Sequence, residues 1–435
     1  MAAIGMITIG LEVLEFFLPN ILRRIFWRQL IQDGSFLATP PRREIQTHDP
    51  VFDAKITNFY SNLLKGSESR HLFEILHLQT GRENILSTSL ENLSSLPPNA
   101  WKLRFKIHFD DEEGQDYGGP LREWLQLLVR KLLNPNCALF RKFKADGANF
   151  TIDEKAFYVH ENVTQEYFKF AGMVLGKAVY ERVPLRCFFT HFLLKKLLGQ
   201  EVLPEDLAVD DRHLYESIAS LGKLSEQELN DADLYFVSEV SAFGQVLKTI
   251  DLEPHNRDTK VDTSNVDQYI ASMCLMKMIG EIDEPLKAFV DGFHSIVPLE
   301  LVSAFSTSEL EQLIGGNDSI DITEIKTYAQ YMNCDRETNQ VQWLWKTLES
   351  FDNNERIQFI AFVTGSDRVP LGGFCGTDNG QQFTVALYPD RNTDHLPTAH
   401  TCFNRIELAR YPNYDILRER LLKAITECNI GFGLK

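Results

Sequence analysis

The sequence predicts an α+β fold built from two unequal units, a larger and mainly helical one followed by a smaller one that mixes strand and helix. Three observations carry this prediction. Apolar stripes with helical spacing dominate before residue 315, short β-rich runs appear after residue 319, and between them stands GGNDS, residues 315–319. Two glycines followed by Asn, Asp and Ser hold φ and ψ loosely, so the stretch reads as a linker on which the second unit can swing.

A chain of 435 residues exceeds what one hydrophobic core usually organises, which favours two or three packed units. With 44% hydrophobic and 24% charged residues, the composition is that of an ordinary globular protein, and disorder is not expected. The net charge of -17 speaks against binding nucleic acid or an anionic membrane over the whole surface, because attraction to phosphate needs clustered Lys and Arg.

At the N-terminus, MAAIGMITIGLEVLEFFLPNILRRIFWRQLI has an apolar run that stops at Glu12 and lacks a basic n-region. Glu15, Pro19, Arg23 and Arg24 follow, so it is too short and too charged to span a membrane. It reads as a helix whose Ile4, Ile7, Leu11, Leu14 and Ile21 bury against the body of the protein, with a helix lying in a membrane interface as the competing reading. Breaker-rich stretches at 37–50, 94–99 and 252–265 mark further boundaries.

WKLRFKIHF alternates Trp101, Leu103, Phe105, Ile107 and Phe109 with charged residues and predicts a half-buried strand. GGPLREWLQLLVRKLL predicts a helix with Pro120 at its first position and a stripe of Leu121, Trp124, Leu125, Leu128, Val129 and Leu132. GMVLG, Gly172 to Gly176, has small residues four apart without a long apolar span around them, which suits a close approach of two helices rather than a membrane dimer. Beyond the linker, IQFIAFVTG and QFTVALYP read as β-rich runs. YDILRERLLKAITE then reads as a helix with Ile416, Leu417, Leu421 and Ile425 on its apolar face.

The chemistry is less evident. EEGQDYGGPLREW lacks the Lys-Ser/Thr of a phosphate loop and the spacing of a dinucleotide fingerprint. No G-x-S-x-G, H-E-x-x-H or papain-like motif is present. The seven cysteines are widely spaced and odd in number, against both a disulfide framework and a C-x-x-C zinc site, and they fit a reducing, intracellular compartment. No metal or cofactor is expected. One of them, Cys402 in LPTAHTCFN, follows the turn-forming DRNTDHLP and has His400 two positions back, on the same face if the segment is extended. His400 can assist a thiolate or a proton transfer, and it can equally fix the loop through a backbone hydrogen bond.

LPTAHTCFN does not stand alone. HFDDEEGQDYGGPLREW, YFKFAGMVLGKAVYERVPL, AFVDGFHSIVP, ELEQLIGGNDSID and WLWKTLESFDNNERIQFIAFVTGSDRVPLGGF precede it, and GFGLK ends the chain. In this order they resemble the catalytic domain of HECT-type E3 ubiquitin ligases over roughly residues 80–435. The resemblance implies a bilobal domain: a larger N-lobe at 80–316 with an E2-binding subdomain near 203–266, a hinge at 317–319, and a C-lobe at 320–435. Residues 1–79 fall outside it as an N-terminal helical extension.

It also implies that Cys402 accepts ubiquitin from a ubiquitin-loaded E2 as a thioester and passes it to a lysine of a protein substrate. His400 and Thr401 then belong to the acceptor motif, and Phe432 to the tail that places the C-lobe for delivery. A cytoplasmic protein without cofactor or metal is expected, and the alternative is a degenerate module that only binds E2 or ubiquitin.

Overall fold

The computed structural model describes residues 50–65, 75–110, 119–145, 147–156, 164–185, 187–242, 245–316, 320–364, 382–388, 393–401 and 404–431. The chain divides into Met1–Asp49 and Pro50–Lys435. The apolar helix expected near the N-terminus lies in the first part, outside the described residues.

In the second part the elements up to the linker run α1 (Pro50–Leu63), β1 (Ile75–Thr80), α2 (Ile85–Leu93), β2 (Arg104–Phe109), α3 (Gly119–Leu132), β3 (Phe140–Lys142), β4 (Phe150–Ile152), α4 (Thr164–Tyr180) and α5 (His191–Leu197). There follow α6 (Arg212–Ala219), α7 (Glu226–Ala232), β5 (Val237–Ala242), β6 (Gln245–Asp251), α8 (Val266–Met278), α9 (Asp283–His294) and α10 (Thr307–Gly315). After the linker come α11 (Ile322–Tyr328), β7 (Gln330–Met332), α12 (Asn339–Ser350), α13 (Asn353–Thr364), β8 (Thr384–Tyr388), β9 (Thr398–His400), β10 (Arg405–Ala409) and α14 (Tyr414–Gly431). Helix predominates and small separate sheets accompany it, a mixed content consistent with an α+β fold.

Three apolar clusters form. The first reaches from Phe52 to Ile314 and is centred on α4. It takes in α1, which precedes residue 80, because Phe52, Ile56, Phe59, Tyr60 and Leu63 recur at helical spacing and all are buried. The Tyr60 hydroxyl donates to the Val179 carbonyl at 3.1 Å, and the Phe59 ring meets Phe305 edge-on at 5.3 Å. The expected helix at 119–132 is present, and its predicted stripe is buried. The expected strand is shorter than WKLRFKIHF: Pro98–Trp101 forms a single helical turn that buries Trp101, and the strand begins at Arg104.

The glycines of GMVLG behave as their spacing predicts. A Cβ at Gly172 would stand 2.0 Å from the Phe289 carbonyl oxygen of α9, and one at Gly292 would stand 2.1 Å from the Lys169 carbonyl oxygen of α4. The two backbones are therefore in direct contact, a separation that no larger residue permits.

A second, small cluster gathers Leu229, Phe236, Leu252, Val261, Val266 and Tyr269 around the β5–β6 hairpin. The third, from Ile320 to Ile425, packs α11 to α14 around a sheet of order β7-β8-β10-β9. In that sheet β8 lies parallel to β7 and β10, and β9 is antiparallel to β10. Of the two β-rich runs expected here, QFTVALYP supplies β8, whereas IQFIAFVT lies in helix α13. The reason is local. Asp352 and Glu355 cap the helix reciprocally, each accepting the other's backbone N–H at 3.0 and 2.8 Å. Phe359 and Ile360, with Val363 four and three residues further on, then face the core together.

Candidate functional site

Residue 402 falls in the four-residue connection between β9 and β10, at the tip of an antiparallel hairpin. Register pairs Arg405 with His400 and Glu407 with Thr398. With side chains alternating along each strand, these four residues share one face of the hairpin. Their polar atoms converge on Glu407, whose side chain is 2% exposed. His400 Nε2 lies 2.9 Å from Glu407 Oε1, Arg405 Nη2 lies 3.0 Å from the same oxygen, and Thr398 Oγ1 donates to Oε2 at 3.3 Å. A carboxylate so buried is tolerated because it is paired and hydrogen-bonded. It fixes one ring nitrogen of His400 and leaves the other available, while nearly half of the His400 side chain faces solvent.

The connection is tied at both ends. Asn404, in the left-handed region at φ 47°, donates its backbone N–H to the Thr401 carbonyl at 3.4 Å, and its own carbonyl accepts from Thr384 N–H of β8 at 3.0 Å. The hairpin base is held by Tyr411, whose hydroxyl donates to the His395 carbonyl at 2.8 Å.

A residue on a helix of the first cluster reaches this connection. Arg122, near the start of α3 and 9% exposed, directs Nη1 at Asn404 Oδ1 (3.0 Å), the Thr401 carbonyl (3.3 Å) and the Thr364 carbonyl at the end of α13 (3.4 Å). The sequence reading missed both Arg122 and Glu407. Signals for each exist: Arg122 stands three and seven residues before Leu125 and Val129, so it is a charge on the apolar face of its helix, and Glu407 sits between Ile406 and Leu408 in a strand.

Of the expected site residues, His400 ends β9 and Thr401 follows it, half-buried. Cys402 and Phe432 lie outside the described residues, as does the expected hinge at 317–319, and so does any shared face between His400 and Cys402. Other cysteines are poorly suited to nucleophilic work. Burial pushes the Cys274 thiol up to about 12, with the Glu205 carboxylate adding to it. Burial likewise raises Cys137 and Cys334, and a thiol raised in this way carries little thiolate. Among the described residues, no group of three or more His, Cys, Asp or Glu side chains is arranged to hold a metal ion, and no helix is long and apolar enough to cross a membrane.

Comparison with known proteins agrees with this geometry. A family model described as HECT-domain (ubiquitin-transferase) matches residues 126–435. The E3 ubiquitin-protein ligase HUWE1 of Mus musculus is 39% identical over 386 residues, 88% of this chain and 9% of that protein. The E3 ubiquitin-protein ligase TOM1-like of Neurospora crassa is 35% identical over 390 residues, 88% of this chain and 9% of its own. The E3 ubiquitin-protein ligase RSP5 of Saccharomyces cerevisiae is 34% identical over 361 residues, 82% of this chain and 44% of its own. The chain thus spans less than half the length of each of these relatives.

Proposed function

Since this chain belongs to the HECT-domain (ubiquitin-transferase) family, we propose that it acts as an E3 ubiquitin ligase through a thioester on Cys402. The observation that supports the reading is the β9–β10 hairpin: in sequence, position 402 lies between Thr401 and Asn404, and both of these are held by hydrogen bonds. Anchored flanks suit a nucleophile that must meet its partner in one geometry.

In the first step the Cys402 thiolate attacks the carbonyl carbon of the thioester joining ubiquitin to an E2. The C–S bond to the E2 breaks, a C–S bond to Cys402 forms, and the E2 leaves as its thiolate. One thioester replaces another, so the step depends on positioning more than on driving force. In the second step a substrate lysine amine attacks the new thioester. A lysine with a pKa of about 10.4 is unprotonated in roughly one molecule per few thousand at pH 7, so removing its proton is the main difficulty. His400, oriented by Glu407, is a base within the hairpin that faces solvent. The E2 would dock on the subdomain near 203–266, where Val209, Tyr235 and Val246 offer apolar surface.

The test is incubation with E1, ATP, ubiquitin and a panel of E2s. Wild type should form an adduct that a thiol reductant cleaves, whereas Cys402→Ser should give either none or one that resists reductant, because an oxyester replaces the thioester. Reductant-sensitive charging of Cys402→Ser at the wild-type rate would exclude Cys402 as acceptor. No adduct on wild type with any E2 would leave the chain as a module that only binds.

A further inference from the structure

Arg122 stands on a helix of one apolar cluster and directs its guanidinium at the segment that forms another. Its helix, α3, is built into the first cluster against β2, α2 and α4, while all three acceptors of Nη1 belong to the segment after residue 320. Two of them, the Thr401 carbonyl and the Asn404 side chain, flank residues 402 and 403, and the third closes α13. Arg122 as a whole is 9% exposed, so its guanidinium has given up much of its hydration and depends on the acceptors around it. Asn404 in turn keeps a left-handed backbone that only a few residue types adopt readily, Asn among them, and this conformation accompanies the delivery of its Oδ1 to Arg122.

We propose that Arg122 is a positioning residue for delivery: it holds the tip of the β9–β10 hairpin against α3, in the arrangement used for transfer to lysine rather than for loading from the E2. This rests on the reading of Cys402 as the thioester acceptor. The direction follows from placement. The cluster beside the β5–β6 hairpin, near which the E2 would dock, is assembled from α7, α8 and the segments that flank the strands between them, whereas α3 packs on β2, α2 and α4. A hairpin tip tied to α3 is committed to that helix, and the tie must be released before the same tip can turn to an E2.

Single-turnover experiments on the full chain separate the steps: loading from an E2 that charges wild type, then chase of the adduct with free lysine. Arg122→Ala should slow discharge relative to loading by roughly ten- to a hundredfold, the size expected when a reacting group is displaced by about an ångström. Arg122→Lys, which keeps the charge without the planar fork, should fall between it and wild type. Asn404→Ala should act in the same direction, and the double variant should be little worse than either single one. Should Arg122→Ala fail to fold, Asn404→Ala breaks the shortest of the three bonds from the other side and reads the same ratio. Equal losses in loading and discharge, no change in either, or additive effects of the two substitutions would each overturn the assignment. If wild type itself forms no reductant-sensitive adduct, the thioester reading fails and this proposal with it. If wild type charges and discharges while Arg122→Ala matches it, the proposal alone fails.

Discussion

Glu407 shows how one side chain can serve both the hairpin and its chemistry. It is buried between His400, Arg405 and Thr398, so removing its charge disturbs the Arg405 ion pair and the His400 contact at once. Glu407→Gln keeps the shape and should cost about 1.5–3 kcal/mol in unfolding free energy, the usual range for a lost hydrogen bond to a charged partner. If Glu407 also orients His400, discharge of the adduct should slow by roughly tenfold or more, and His400→Gln in the same chain should add little. Single-turnover discharge and urea unfolding on the same variants separate the two effects. An additive pair would assign Glu407 to stability alone. At this scale the sequence was informative about the motif and silent about its supports: LPTAHTCFN marks a position for chemistry, yet nothing local in LREW says that Arg122 turns toward a segment 279 residues away.

Among elements, α3 and α14 were legible because their apolar residues keep a helical period through the whole run. IQFIAFVT was not. Its apolar density resembles a strand, and the capping pair Asp352 and Glu355 that decides the matter lies outside the apolar run itself. The contact of α4 with α9 was legible as a spacing of small residues, but its partner was not, since Phe289, Gly292 and Phe293 come more than a hundred residues later. Gly172→Ala should therefore be harmful despite being a favourable change for an isolated helix. Its Cβ would meet backbone on the neighbouring helix at 2.0 Å, and the helices must separate, at a cost of ~1–3 kcal/mol. Calorimetry or urea unfolding reads this directly. A variant as stable as wild type would mean that α9 can shift without loss.

For the whole molecule, the sequence placed the change in architecture at GGNDS, and the first and third apolar clusters end at Ile314 and begin at Ile320. Replacing Gly316 by proline would be a poor way to stiffen that junction. Its φ is +70°, where proline is excluded, and its N–H donates to the Gln312 carbonyl at 2.8 Å to close α10. A cleaner test uses the self-contained third cluster. A fragment of residues 320–435 should unfold in one cooperative urea transition, because α11 to α14 and the four-stranded sheet enclose their own core. A broad, uncooperative transition would show that this unit depends on the first cluster for its fold.

Such independence makes the stiffness of α4 consequential. Two helices in backbone contact have no layer of side chains between them to yield, so α4 and α9 form something close to a single beam, and α3 is mounted on it. A beam that does not bend transmits force without storing it. Strain applied where the third cluster meets α3 therefore falls on the bonds from Arg122 rather than being dissipated as creep through the helices.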